Sequence, residues 1–256
     1  MADVQGAQVV GRIGRIMRAV GENAGSGIPT SEVARVTGLT RPTTHRLLNS
    51  LAAEGFLDHD SQTARWHLGP ELFLLGSLAS ERYDITDLAR ESVELLARET
   101  GESAFLSARR GYETVCLLRE EGSFPVRSFV LYEGVRFPLG VASAGIAILA
   151  FLGPKEVDEY LAHGSQTERW GEQHSPAALR RRIDETRSLG YAVNPGLIVE
   201  GSWGMGAAVF DRHSTPTWAL SLTGIESRFS PRRRPELGRL LLEQAHVVTK
   251  RLHDGR

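Results

Sequence analysis

The chain has 256 residues, enough for one large domain or two ordinary ones, and its 41% hydrophobic and 24% charged content is globular. A formal net charge of -1 gives no global pull on a polyanion, so any nucleic-acid binding must rest on local charge. The single cysteine, Cys116, excludes an intrachain disulfide; with no membrane-length apolar run and no signal-peptide pattern, the expectation is a cytoplasmic protein.

The stretch "VVGRIGRIMRAV", Val9 to Val20, predicts a helix with Val9, Ile13, Ile16, Met17 and Val20 on one face and Arg12, Arg15 and Arg18 mostly on the other. "NAGSG", from Asn23, reads as a loop. "PTSEVARVTG" predicts a second helix, with Thr30 or Ser31 as its cap, Glu32 in the first turn and Gly38 at the exit. "LTRPTTHRLLNSL" predicts a third, ended by Gly55 as a glycine cap. "FLDHDSQTARWHLG" predicts a hairpin pairing Phe56-Leu57 with Trp66-His67-Leu68 around a polar turn at Asp60 to Ala64. Pro70 then starts a helix through "ELFLLGSLASER". Three helices followed by a hairpin is the order of a winged helix-turn-helix.

In that arrangement the third helix must pack with its rear face and read DNA from its N-terminal end. Thr44, Leu47, Leu48 and Leu51 recur at helical spacing and form the expected packed face. Thr40 (as cap), Arg41, Pro42, Thr43, His45 and Arg46 fall near the N-terminus or on the open side. Pro42 costs little there, because first-turn amides have no helical acceptor. Through residue 77, seven arginines balance seven acids, so the N-terminal part is formally neutral. Between Ala34 and Ala53, however, there is no acid, while Arg35, Arg41 and Arg46 are present. Arg65 in the hairpin is expected to reach DNA as wings do. These observations predict double-stranded DNA as a partner.

Beyond Tyr83 the pattern changes. "ITDLARESVELLARETG" predicts an amphipathic helix, and "SAFLSARRGYETVCLLRE" two strands around Gly111. "FPVRSFVLYEG" predicts another strand, and "SAGIAILAFLG" a short apolar helix. "SPAALRRRIDETRSLG" predicts a helix capped by Ser175, with Pro176 at its first position and Gly190 at its end. "MGAAVFD" and "TWALSLTG" predict buried strands, and a last helix runs from about Pro231 or Pro235 to Leu252. Helices and strands around one sheet give an α/β or α+β domain.

Other chemistry is weakly signalled. "GSWGMG", Gly201 to Gly206, lacks dinucleotide-binding spacing and reads as close backbone packing or ligand access. His45, His59 and His67 lack metal-ligand spacing, and His163 and His174 read as solvated. Cys116 reads as a core residue. The run Arg180 to Arg182 reads as a solvated helix face; "PRRRP", around Arg232 to Arg234, could serve a partner surface, but nothing ties it to one. With no nucleophile–base pair and no metal set, the expectations are no catalytic residue, no metal, no cofactor and no enzyme.

The segments "SEVARVTGLTRPTTHRLLNSLAAEGFLDHD", "RWHLGPELFLLG", "EGVRFPLGVASAGIAILAFL", "LRRRIDETRSLGYAV", "GMGAAVFD" and "ALSLTGIESRF" together resemble the IclR (isocitrate lyase regulator) family of bacterial transcription factors over nearly the whole chain. The resemblance implies an α+β protein: a winged helix-turn-helix over 1–69, a linking helix over 70–83, and a GAF-like effector-binding and oligomerisation domain over 84–256. It implies homodimers that often pair into tetramers, palindromic operators upstream of catabolic operons, and a small organic acid effector. Carried over, the effector residues are Val126, Phe129, Phe137, Ser143, Ala144, Asn194, Ser202, Gly204, Ser221 and Thr223. From the residues alone, Ser143 opens a helix whose free amides suit a carboxylate. Ser221 and Thr223 share one side of a strand, facing either a ligand or solvent. Gly140, Ile146, Gly204 and Leu197 stand where the family commonly has histidine, lysine, cysteine and an acid. Fewer polar groups and more room, with Phe129, Phe137, Trp203 and Met205 nearby, predict an apolar effector such as an aromatic acid. The function expected is an effector-controlled regulator, most simply a repressor; the alternative is an enzyme or ligand-binding module without DNA binding.

Overall fold

The computed structural model describes residues 8–80, 85–163 and 166–254, and the chain divides into two compact units, 1–83 and 84–256. The first contains α1 (Gln8–Gly21), β1 (Ile28–Pro29), α2 (Thr30–Thr37), α3 (Arg41–Ala53), β2 (Leu57–Asp60), β3 (Arg65–Leu68) and α4 (Pro70–Ser80). Its core joins Ile16 and Val20 of α1, Val33 of α2, Leu48 and Leu51 of α3, and Ile28, Leu57 and Trp66 of the strands. Val9, placed by its periodicity on the packed face, is instead 54% exposed.

Gly38 makes the turn between α2 and α3 at φ 68°, ψ 19°, a left-handed conformation that other residues adopt at a cost. The caps expected at the two helix starts differ from those observed. Pro29 precedes α2, and the Thr30 hydroxyl instead accepts from Trp66 Nε1 at 2.9 Å. Thr40 does precede α3, but its hydroxyl donates to Thr43 Oγ1 at 2.9 Å and caps no amide. The hairpin pairs Leu57 with Leu68 and Asp60 with Arg65. A third strand was not legible: β1, from the α1–α2 connection, pairs with β3 through Ile28↔Trp66 and Pro29↔Arg65. The linking segment is helical over Pro70–Ser80; residues 81–83 lie outside the described residues.

The second unit contains α5 (Ile85–Thr100), β4 (Ser103–Arg110), β5 (Glu113–Glu120), β6 (Arg136–Pro138), α6 (Ser143–Ala150), α7 (Pro154–Ala162), α8 (Thr167–Trp170), α9 (Pro176–Leu189), β7 (Ala192–Pro195), β8 (Ser202–Phe210), β9 (Pro216–Ile225) and α10 (Arg234–Asp254). The strands form one six-stranded antiparallel sheet in the order β6-β5-β4-β9-β8-β7. The overall class is therefore α+β. Alternation along β9 sends Leu220 and Leu222 to the face covered by α5 and α10, where they join Val93, Leu96, Leu241 and Val248. On the other face lies α6, all of whose residues are buried, backed by α7 and α9 through Val157, Tyr160, Leu179 and Ile183.

The expected strand over Phe124 to Gly134 does not form. That segment is irregular, and β6 follows it. Among the described residues no helix is long and apolar enough to cross a membrane, and no group of His, Cys, Asp or Glu could hold a metal ion.

Candidate functional site

Two surfaces carry functional potential. The first is the leading end of α3. Thr44, Leu48 and Leu51 are buried, which turns Arg41, Pro42, His45 and Arg46 outward, with Thr43 half-buried beside them. The first turn contains no acid and no side-chain cap. Its free amides and the positive end of the helix dipole are therefore open to an anion. Arg41 and Arg46 make no ion pair among the described residues, whereas Arg35 grips Glu32 through Nε at 2.9 Å and through Nη2. His45 is held by Asn49, whose Nδ2 also donates to the His45 carbonyl at 2.8 Å. Arg65 departs from expectation. Its Nη1 donates to the carbonyls of Gly27 at 2.8 Å and Ser26 at 3.3 Å, so it ties the hairpin to the α1–α2 loop instead of reaching outward.

The second is a cavity between the β8–β9 part of the sheet, the start of α6 and the 124–134 segment. Phe137, Ser143, Ala144, Asn194, Ser202, Gly204, Ser221 and Thr223 all line it. Val126 and Phe129 do not: they are 54% and 76% exposed, because the segment that carries them is a loop with no strand register to turn them inward. Val130, Leu131, Ala142, Ile198 and Trp203 complete the wall. Of these only Trp203 was signalled as near the site; Val130 and Leu131 lay in the segment read as a strand, and their apolar character was the available hint. Ser221 Oγ and Thr223 Oγ1 point inward, are buried and have no hydrogen-bond partner among the described residues. Beside them α6 starts without a side-chain cap, and its first bond is Ile146 N to Ala142 O at 3.0 Å, so the amides of residues 143–145 lack helical acceptors. Asn194 has a framing role: Nδ2 donates to Val141 O at 2.8 Å and Oδ1 accepts from Leu197 N at 2.9 Å. Ser202 and Ser128 share a hydroxyl hydrogen bond of 2.6 Å.

The glycines do not leave the room expected. A Cβ on Gly206 would lie 2.9 Å from the backbone of Ser143, so "GSWGMG" admits the start of α6 against β8. The space at Gly204 is taken by Ser143 Oγ, 3.1 Å from a Cβ there. At Gly140 it is taken by Leu179 and by Tyr160, whose hydroxyl accepts from Gly140 N at 2.7 Å. Ile146 is a core residue outside the cavity, and Met205 faces α5 and α10. The resulting free space is small, about 30 Å³.

Buried polar groups elsewhere fall into two kinds. Glu102, its side chain 1% exposed, accepts from Arg228 Nε at 2.6 Å and Arg233 Nη1 at 2.7 Å, so the "PRRRP" run supplies an internal clamp. Arg182, expected on a solvated face, turns inward while Arg180 pairs with Asp158 at 2.8 Å on the surface. Burial pushes the Arg182 guanidinium down to about 10. His174, also expected to be solvated, is fully buried, and burial lowers its pKa. Cys116 is core, its thiol pushed up to about 12 by burial.

A helix-turn-helix with an open, basic reading end, joined in one chain to a sheet domain holding a small-molecule cavity, defines an effector-responsive DNA-binding protein. Residues 78–250 match the family described as bacterial transcriptional regulator IclR C-terminal, and residues 9–61 match the IclR helix-turn-helix domain. The HTH-type transcriptional regulator KipR of Bacillus subtilis is 30% identical over 226 residues, covering 87% of this chain and 88% of that protein. The crystal structure of the Thermotoga maritima IclR superposes with a TM-score of 0.71 at 25% identity, covering 96% of this chain and 99% of the other. An IclR homologue from Microbacterium hydrocarbonoxydans, complexed with 4-hydroxybenzoate, has the same fold, with a TM-score of 0.76 at 23% identity, 96% of this chain and 99% of that one. The chain belongs to the IclR family: it is a transcriptional regulator with a DNA-binding helix-turn-helix and a C-terminal effector domain, not an enzyme.

Proposed function

We propose that the protein is a cytoplasmic repressor of a catabolic operon that binds a palindromic operator as a homodimer and responds to an aromatic acid. The observation that carries the DNA reading is the pair of exposed, unpaired guanidiniums, Arg41 and Arg46, at the uncapped start of α3. Arginine can take guanine through two parallel hydrogen bonds or anchor a phosphate, and the Thr43 hydroxyl and helix amides add positioning contacts. Arg65 is removed from that set by its hold on Ser26 and Gly27. The dimer reading rests on α4, where Phe73, Leu74, Leu75 and Leu78 are 76%, 54%, 45% and 71% exposed, an apolar face that a second copy would cover.

The effector reading rests on the unpartnered hydroxyls of Ser221 and Thr223 beside the α6 amides, with Phe137 and Trp203 as apolar walls. A carboxylate there would satisfy both hydroxyls and meet the positive helix end. The free space, about 30 Å³, holds roughly two waters at ~10–15 Å³ each, less than an aromatic acid needs. Such a ligand must therefore push Val130 and Leu131 outward, which gives binding a conformational readout. The fold in the Microbacterium homologue holds 4-hydroxybenzoate. The test is two-part. Duplexes selected from a random library should be inverted repeats bound with a steep salt dependence, about 0.9 log units per log of salt for each phosphate neutralised. A thermal-shift panel should favour benzoate-type acids; stabilisation by glyoxylate-sized acids alone would refute the aromatic reading.

A further inference from the structure

Arg182 sits on the inward stripe of α9, three residues from Leu179 and four from Thr186, both buried. Its Nη1 donates to Gly140 O at 3.4 Å, which fixes the plane of the group. Its other edge, Nε and Nη2, is closed to solvent and has no hydrogen-bond partner among the described residues. This is the edge with which Arg35 holds both oxygens of Glu32. No carboxylate of the described residues forms an ion pair with Arg182. His174, close enough for its ring to feel the Arg182 charge, pairs Nδ1 with Trp170 O at 2.8 Å and has the Val141 carbonyl beside it, while Nε2 makes no hydrogen bond of ordinary geometry among the described residues. Trp170 Nε1 is a third buried, unpartnered group. The Glu185 carboxylate acts on Arg182 from a distance but does not bond it; a buried guanidinium without a bonded counter-charge is costly, and a planar edge with two parallel donors matches a carboxylate.

We propose that Arg182, with His174 beside it, forms a second anion site that takes a small carboxylate of formate or acetate size, distinct from the Ser221–Thr223 cavity. None of Arg182, His174 or Trp170 lines that cavity. The two share only neighbours: Phe137 lines the cavity and packs on Trp170 at 5.7 Å between ring centroids. Because both Arg182 donors are shut from solvent, the occupant must be small and must enter through a local opening of the chain around His174. The inference does not rest on the aromatic-effector reading.

The test is thermal unfolding of the full chain in sodium formate, acetate, benzoate and chloride at constant ionic strength. Formate should raise Tm in a saturable manner in the wild type, since a ligand of the folded state stabilises it by mass action. The effect should vanish in Arg182→Met and weaken at least tenfold in Arg182→Lys, which keeps the charge but loses the planar edge. It should persist in Ser221→Val/Thr223→Val. Each readout is a ligand-dependent shift within one variant, so a change in basal stability does not obscure it. The proposal is overturned if formate stabilises the wild type and Arg182→Met equally, or not at all. It is also overturned if the cavity variant abolishes the shift, which would assign the carboxylate to the effector, or if chloride matches formate and Arg182→Lys retains the shift, which would mark a point-charge site only.

Discussion

Helices α3 and α6 begin alike and end up serving opposite environments. Neither start has a side-chain cap or an acid in its first turn. On α3 the free amides face water beside Arg41 and Arg46; on α6 they face a small, largely apolar cavity beside Ser221 and Thr223. The same backbone device is offered to an anion in both places, but the surroundings select which anion. In water the dipole contributes only about 0.3–1 kcal/mol and needs guanidiniums to add charge; enclosed, it reaches about 2 kcal/mol and needs only neutral hydroxyls. A helix start is thus generic, and its side-chain company carries the specificity.

Experiments can break this comparison from either side. The largest expected effect is on α3: Arg41→Ala with Arg46→Ala should weaken operator binding by roughly 100-fold, at about 1–3 kcal/mol per arginine, and flatten the salt slope. Fluorescence anisotropy on the selected duplex measures it, and unchanged affinity would remove α3 as the reading element. Next, Gly206→Ala drives a Cβ to within 2.9 Å of the Ser143 backbone and should cost about 1–3 kcal/mol in urea unfolding; a neutral result would mean that α6 is not pinned to the sheet. Ser221→Val/Thr223→Val should leave the ligand-free protein about as stable as before, because unpartnered buried hydroxyls are lost. Calorimetry should show roughly tenfold weaker benzoate binding, and intact benzoate binding would move the effector elsewhere. The smallest effect sharpens the comparison: Thr40→Ala should cost only ~0.5 kcal/mol or less, at the bottom of the cap range, since its hydroxyl meets Thr43 and no amide.

The sequence was legible wherever one period ruled one element. The α3 stripe of Thr44, Leu48 and Leu51, the hairpin and the existence of strands β8 and β9, though not their pairing, follow from the local pattern. It was misleading where an apolar segment is buried for another reason. Around Val130 and Leu131 the chain reads as a strand because it covers a cavity, and no ladder forms. Arg182 read as one of three solvated arginines, although its spacing from Leu179 and Thr186 already placed it on the buried stripe. Arg65 was expected to reach DNA as wings do; its hold on the Ser26 and Gly27 carbonyls was not foreseeable, since it depends on the two-residue strand β1 lying beside β3. For the cavity, eight of the residues carried over from the family line the wall, while Val126 and Phe129, carried over in the same way, are exposed on an irregular segment.

That small strand also shapes how the reading head can behave. With Trp66 fastened to Thr30 and Arg65 buckled over the Ser26 and Gly27 carbonyls, hairpin, loop and α2 make a single braced block. A braced block has little freedom to remould itself to a poorly matched sequence. In the homodimer proposed above, discrimination between operators would come not only from the arginines but also from how far apart two such blocks are held, a quantity that mutations distant from any base could tune.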